Sequence, residues 1–481
     1  MNYITAILDF SSRSVDDIIN DLRDKTVCVP SWIKLLKDYE PTEHTICKDT
    51  TVLRDKTRSD GTVEKSARIY IGLEKLLSKR VTEFTFSVPV KRVYSNTDND
   101  TRLQIAKAIE SIYLNARINS VNLKRGLAYY AACEIFTVWY AVKKPNTLYG
   151  FSCDYKLKCK TYSPMDGVKL YPLFDEYDDM IAMSVEYTKT VKDEAVTVFE
   201  TYTADRHYMF ERSSTGGSWE TVKSVITDDG QIENGEEVVI LKIPGVYAYR
   251  PVPVYHGLSN LRSEIEYTLS RNSNVIAYNS APILKVTGGI KGEEKKGDAR
   301  RVWRTENGGD VAYVSWPQAI EALKYHVDTM LKLFFMQAQI PDISFENMKN
   351  LGNIGYDARM TMLTDAHLRI GDEEGVWIEF FDRECNVIKA FLKQMNKKWE
   401  SEIDNVIVEH KITPFIQNDE LSDINKRLKA NGGKPIESQL ESIQRYGKSD
   451  DAAETLVQIQ KEEAESSSVK ADMFTAENQV I

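Results

Sequence analysis

Hydrophobic and polar positions follow two rhythms along this chain, and the changes of rhythm divide it. Apolar residues recur every three or four positions in "ARIYIGLEKLLSKRVTEF" (Ala67 to Phe84), which predicts an amphipathic helix followed by an extended "TFSVPVKRVY". Nearer the N-terminus "RSVDDIINDLRDK" has the same helical spacing, and "TRSDGTVEKS" predicts a solvated loop. Asp98 to Val142 predicts one or two long helices, with Asp98 or Asp100 as the N-cap. The longest nearly apolar stretch, Leu127 to Val142, is interrupted by Glu134 and too short to span a bilayer, so it predicts a buried helix or a helix–strand junction.

From about Leu148 the period changes to two. "DMIAMSVEYTKT", "EAVTVFETYTADRHYMFERSS" and "SWETVKSVITDD", parted by turns such as "STGG" and "DDGQ", predict an antiparallel sheet of about six strands. The sheet would close with "EEVVILKIPGV" and the Pro-marked "YRPVPVYHG". At Ser259 helical spacing returns. Leu258, Leu261, Ile265, Leu269 and Ile276 predict a helix roughly 30 Å long, ended by Pro282.

Two strand-like runs then enclose a charged, Gly-rich insertion. Pro317 stands where a first helical residue should, and Ile320, Leu323, Val327, Met330 or Leu331, and Phe334 form one stripe. Glu321, Lys324, Asp328 and Lys332 share the opposite face, where the i,i+4 pairs Lys324–Asp328 and Asp328–Lys332 can form. Such a face is either a solvated surface or a near-neutral wall that a polyanion passes without sticking.

After Ile340-Pro341-Asp342 the chain dissolves into "ISFENMKNLGNIG", a polar hoop between two regular helices. A long helical tract follows from Tyr356 to about Ile403, with a kink expected at the two glycines of "RIGDEEGVW". The strand "NVIVEHKITPF", two or three helices and a mobile tail complete the chain.

Composition narrows the function classes. With 481 residues, 42% hydrophobic and 28% charged, the chain can bury real cores as a soluble protein. A formal net charge of -10 excludes a protein that grips DNA by bulk attraction. The N-terminus carries Asp9 and has no basic n-region, so no secretory signal is expected. Cys28, Cys47, Cys133, Cys153, Cys159 and Cys385 match no zinc spacing and are expected to be reduced thiols. No metalloprotease His pair, nucleophile elbow or P-loop occurs, and "GGIKGEEKKGD" predicts a charged surface tip. The pairs Asp178–Asp179 and Asp450–Asp451 suit turns or caps. Neither an enzyme nor a cofactor is predicted.

Three stretches, taken in order, resemble the portal proteins of tailed phages of the siphophage type. "KIPGVYAYRPVPVYHGLSNLRSEIEYTLSRNSNVIAYNSAPILKVTGG" resembles the passage from wing to first stem helix and clip. "YVSWPQAIEALKYHVDTMLKLFFMQAQIPDISFENMKNLGNIGYDARM" resembles the second stem helix, tunnel loop and long helix. "KITPFIQNDELSDINKRLKANGGKPIESQLESIQRYGKSDDAAETLVQIQKEE" is similar to the return strand and crown, with Asp450, Glu454, Gln458 and Glu462 at the recurring ending. Related proteins commonly show Ser-Gly-x-Ala after the loop, where this chain has Ile354-Gly355-Tyr356-Asp357-Ala358.

The resemblance implies an α+β portal fold. Its parts would be a wing of helices and antiparallel sheet (1–256), stem helices (257–282 and 317–340) and a small α/β clip (283–316). A tunnel loop (341–356), a long kinked helix with return strand (357–416), a helical crown (417–465) and a mobile tail (466–481) would follow. It also implies a non-enzymatic ring, a dodecamer in the virion, at one capsid vertex and assembled in the host bacterial cytoplasm. Double-stranded DNA would pass through it during packaging and ejection. Partners implied are the terminase large subunit, a head–tail adaptor, the major capsid protein and scaffold, with no membrane.

By the same analogy Asn347, Met348, Lys349, Asn350, Leu351 and Asn353 would line the DNA channel, and Glu321, Lys324, Asp328 and Lys332 would face it. Lys291, Lys295, Lys296, Arg300 and Arg301 would dock protein partners at the clip, or, as the second reading, touch phosphate. A ring of twelve would carry about -120 formal charges, which repels DNA rather than trapping it. The competing expectation is a capsid or scaffold-type assembly protein without a DNA channel.

Overall fold

Ser14 starts the first well-capped helix: its side chain accepts a hydrogen bond from the Asp17 amide, with Asp16 and Asp17 in the first turn. It belongs to a run of short helices, α1 (Tyr3–Ile7), α2 (Val15–Leu22), α3 (Trp32–Tyr39) and α4 (Thr45–Lys48). The computed structural model describes residues 3–57, 59–222, 224–226, 232–279, 283–288, 310–314, 320–342, 361–415, 438–446 and 452–463. In the segment expected as a solvated loop, β1 (Lys56–Thr57) and β2 (Val63–Glu64) form a short exposed ladder.

Residues 67–72 are not helical, although their spacing predicted it. Helix α5 (Leu73–Phe86) begins at Leu73 and runs two residues into the segment expected to be extended, before β3 (Lys91–Ser95). Helix α6 (Asp100–Asn115) is capped by Asn99, whose side chain accepts from the Arg102 amide, rather than by Asp98 or Asp100. Helix α7 (Ile118–Ala132) stops at Cys133, which turns left-handed at φ 69°. Of the two readings of Leu127–Val142, the helix–strand junction holds and the continuous helix does not: strand β4 (Glu134–Asn146) begins directly after Cys133. Its β-branched and aromatic residues suit a strand, and burial of both faces from Glu134 to Trp139 removes the alternation that would have announced one.

The alternating region is not one sheet. Its strands are β5 (Cys153–Tyr162), β6 (Lys169–Phe174), β7 (Met180–Val191), β8 (Glu194–Tyr202) and β9 (Arg206–Ser213). The shorter β10 (Glu220–Thr221), β11 (Ser224–Ile226), β12 (Ile232–Asn234), β13 (Glu236–Glu237) and β14 (Gly245–Tyr249) follow. A six-stranded antiparallel sheet has the order β10-β9-β8-β7-β6, with β13 also on β9. A separate three-stranded sheet has the order β14-β4-β5, and β11 pairs with β12. Ile7, Ile18, Ile19 and Leu22 cover the larger sheet at Leu173, Phe199, Phe210 and Trp219.

The close pairing of β14 with β4 rests partly on Gly245. A Cβ there would lie 2.5 Å from the Phe136 ring and 2.8 Å from the Thr137 carbonyl, so only glycine lets β14 approach β4 this closely. Gly245→Ala is expected to destabilise the protein by about 1–3 kcal/mol through overpacking. Chemical denaturation checks this, and a variant as stable as the parent would show that β4 yields.

Helix α8 (Ser259–Asn279) leads into β15 (Ile283–Thr287), which pairs antiparallel with β16 (Asp310–Val314) before α9 (Ile320–Ala338). Both strand-like runs are thus strands, while Pro317 lies outside the described residues. The long helix (Thr364–Met395) runs unbroken through Gly371 and Gly375, the two glycines at which the kink was expected. It ends at Met395, and 3₁₀ turns at Lys397–Trp399 and Ile403–Asn405 occupy the rest of the predicted tract. Strand β17 (Ile407–Lys411) returns to pair antiparallel with β3.

The fold is α+β, with its main core along the long helix. Trp377, Phe380, Phe381, Ile388 and Leu392 pack with Leu77, Val81, Ile109 and Ile112. The chain divides into two compact units, Met1–Lys349 with Thr361–Phe415, and Asn350–Met360 with Ile416–Ile481. In the second unit, Gln439–Tyr446 and residues 452–463 are helical. The predicted tail lies outside the described residues. No helix among the described residues is long and apolar enough to cross a membrane.

Candidate functional site

Two helices and the segments that hold them form the centre of interest. Helices α8 and α9 pack against each other, and the β15–β16 ladder joins them. At about 1.5 Å per residue, their 21 and 19 residues give helices roughly 30 Å long. The apolar stripe of α9 behaves as spacing predicts: Phe334 is fully buried, and Leu323, Val327, Met330 and Leu331 are half-buried. Glu321, Lys324, Asp328 and Lys332 are exposed on the other side, with Tyr325 and Met336 beside them.

Among the described residues the ion pairs Lys324–Asp328 and Asp328–Lys332 are not formed. Exposed pairs gain only about 0.3–0.5 kcal/mol against the entropy of two long side chains, so spacing permits them without requiring them. The contact α9 does make is across to α8, where His326 Nε2 lies 3.5 Å from Glu264 Oε1.

Sequence reasoning missed the buried polar edge of α8. Leu258 and Ile265 are buried as predicted, whereas Ile276 is exposed. Arg262, Glu266, Ser270 and Asn274 recur every four residues, and the first three are fully buried. The extended residues 67–71 run along this edge. The amides of Ala67, Ile69 and Ile71 donate to Asn274 Oδ1 at 2.7 Å, Ser270 Oγ at 2.7 Å and Glu266 Oε1 at 2.9 Å. In return Ser270 and Asn274 donate to the Ile69 and Ala67 carbonyls at 3.3 Å. Two strand residues rise about 6.6 Å and four helical residues about 6 Å, so the side chains match the peptide as a neighbouring strand would.

Arg262 closes the ladder at its base. Its Nε donates to Glu74 Oε1 at 2.6 Å, Nη1 to Glu266 Oε2 at 3.2 Å and Nη2 to Asp38 Oδ1 at 2.9 Å. The fully buried His44 faces Glu266 Oε1 at 2.7 Å and the Asp38 carbonyl at 2.9 Å. Burial pushes the Glu74 carboxyl upward, and Arg262 opposes that push.

A second arginine works at the other end of α9. Gln339 turns left-handed at φ 52°, and Ile340 tucks into the core. Arg369 of the long helix donates through Nη1 to the Ala338 carbonyl and through Nη2 to the Val254 carbonyl at 2.9 Å. It thereby ties the end of α9 to the long helix, at the base of the intervening hoop. Asn347, Met348, Lys349, Asn350, Leu351 and Asn353 of that hoop lie outside the described residues, as do Lys291, Lys295, Lys296, Arg300 and Arg301.

The family described as phage portal protein, SPP1 Gp6-like, matches residues 30–469 of the chain. The chain belongs to this portal family. No individual curated protein matches it. As a portal protein it is a structural, non-enzymatic component of a phage virion, in a family whose members assemble as rings at a capsid vertex. The match begins after α1 and α2, so the two helices covering the six-stranded sheet lie ahead of the part the family shares. In this portal protein the described signal for the anchoring residues is the four-residue recurrence of Arg262, Glu266, Ser270 and Asn274. Arg369 carries no comparable signal, because its acceptors are backbone carbonyls.

Proposed function

We propose that this portal protein forms a ring, dodecameric in the virion, through which double-stranded DNA enters and leaves the capsid. The observation that carries this reading is the clamped stem. The apolar sides of α8 and α9 are packed, Arg262 and Arg369 fix their ends, and Glu321, Lys324, Asp328 and Lys332 stay exposed. These four charges sum to zero, so this face offers duplex DNA contact without net attraction. Every strong phosphate contact would have to break at each step of translocation, and the acidic body keeps such contacts few.

In this reading residues 1–256 form the wing, 283–316 the clip and 417–465 the crown, with 341–356 as the tunnel loop. Asn347, Met348, Lys349, Asn350, Leu351 and Asn353 project to the narrowest part of the channel. Lys291, Lys295, Lys296, Arg300 and Arg301 at the clip receive the terminase large subunit during packaging and the head–tail adaptor afterwards. The major capsid protein and scaffold surround the ring.

Replacing residues 347–353 with a Gly-Ser linker of equal length is expected to leave rings intact by electron microscopy while DNA packaging or retention collapses. Full packaging and retention in that variant would sink the tunnel-loop assignment.

A further inference from the structure

The three-stranded sheet carries opposite charge at its two edges. On the outer strand β5, Lys156, Lys158 and Lys160 alternate along one face, while on β4 Lys143, opposite Tyr155 in register, lies on the other face and Lys144 follows it. None of these five lysines makes an ion pair among the described residues. Tyr140, opposite Lys158, is exposed on the face of the three β5 lysines, and Tyr155, opposite Lys143, is exposed on the other. Lysines on a free edge discourage indiscriminate strand pairing, which alone would explain them. The other edge of the sheet gives them a complement.

There β14 pairs on one side only, with β4. Beside Tyr247, Ala248 and Tyr249 lies a cleft of about 900 Å³, walled by the β6–β7 turn and by Val376 and Phe380 of the long helix. Asp175, Glu176, Asp178 and Glu379 ring it, and its single cation, Arg383, pairs with Glu379 at 2.6 Å, which leaves the net acid on the turn. The turn is preorganised: Asp175 Oδ1 accepts from the amides of Tyr177 and Asp179, both at 2.9 Å. Tyr177 stands 77% exposed at its tip, the kind of side chain that anchors interfaces.

The strand order β14-β4-β5 puts the acidic cleft and the lysine edge on opposite sides of one sheet, about 10 Å apart in strand spacing. A cyclic ring needs two different, complementary surfaces on opposite sides of each subunit. We propose that in the ring the lysine-bearing β5 edge of one copy seats against the acidic β14 cleft of the next. This rests on the ring reading above and adds which surfaces meet. Glu176 of the lining and the exposed Asp179, which ends the turn just outside it, supply charge, while Tyr177 and Tyr249 supply apolar area.

The test uses the full chain and two charge reversals. Lys156→Glu with Lys158→Glu reverses one surface. Glu176→Lys with Asp179→Lys reverses the other, sparing Asp175, which holds the turn, and Asp178, whose φ is positive. Each pair is expected to raise the concentration for half-assembly, followed by sedimentation and electron microscopy, by about tenfold or more. Combining all four should restore assembly, and circular dichroism checks that each variant is folded. Parent-like assembly of either pair, or no recovery in the combination, overturns this contact and leaves the ring standing. A parent chain that stays monomeric at every concentration overturns the ring together with the contact.

Discussion

Arg262→Met is expected to lower the unfolding free energy by about 3–5 kcal/mol, because it leaves two buried carboxylates without their cation. Glu74 and Glu266 are both at most 1% exposed, and Arg262 donates to each. One oxygen of Glu74 already lacks a partner, so the arginine is its compensation in the described residues. Asp38 and His44 cannot replace it: Asp38 is itself an anion that Arg262 serves, and both ring nitrogens of His44 are engaged, with Glu266 and the Asp38 carbonyl.

The pH dependence follows from the direction of the Glu74 shift. Burial raises its carboxyl in the folded state, so the neutral form is tolerated there, and that tolerance is lost as pH rises. Removing Arg262 raises it further, so the deficit of the variant should shrink as pH falls. Urea denaturation followed by tryptophan fluorescence at several pH values measures both effects. A loss below about 1 kcal/mol, or one independent of pH, would mean that the cluster is hydrated rather than buried. Adding Glu74→Gln and Glu266→Gln should recover part of the loss, since a neutral set leaves no buried charge unpaired.

Glu384→Ala is expected to cost a similar amount, about 3–5 kcal/mol. Glu384 and Arg125 are completely buried and bonded to each other, and Trp139 Nε1 also donates to Glu384 at 2.8 Å. Removing the carboxylate therefore strands a guanidinium and an indole N–H together. Asn122 Oδ1 at 3.0 Å and Thr137 Oγ1 at 3.1 Å still accept from Arg125, but neither carries charge. The pair ties α7 and β4 to the long helix, so the loss should appear as a lower thermal midpoint of the whole first unit. Glu384→Gln keeps an acceptor for Trp139 and should fall between parent and alanine variant. Equal midpoints for the alanine variant and the parent would show that water reaches Arg125.

How far the chain could be read before folding depended on which interactions each element uses. Helices α8, α9 and the long helix were legible because each buries one apolar face, and the β15–β16 ladder and β17 because short apolar runs bounded by turn residues mark strands. Burial of one face leaves its period in the sequence. Their order also carried the family, since portal membership follows from the arrangement along most of the chain. The charged face of α9 was legible for the same reason, as the complement of its stripe.

Other features had no periodic trace. Residues 67–71 carry apolar residues at helical spacing, yet their amides are claimed by Asn274, Ser270 and Glu266 some two hundred positions away. Strand β4 hides its alternation by burying both faces, and Arg369 bonds to carbonyls, which every residue possesses. The sequence by itself determined the helices that bury one apolar face, the acid balance and the family. Only the tertiary structure decided that α8 has a buried charged edge, that Arg369 clamps the base of the hoop, and that one sheet separates lysines from carboxylates. The physical reason is the range of the forces: hydrophobic period is written locally, whereas a buried charge or an unpaired amide is defined by a partner that only the folded chain brings near.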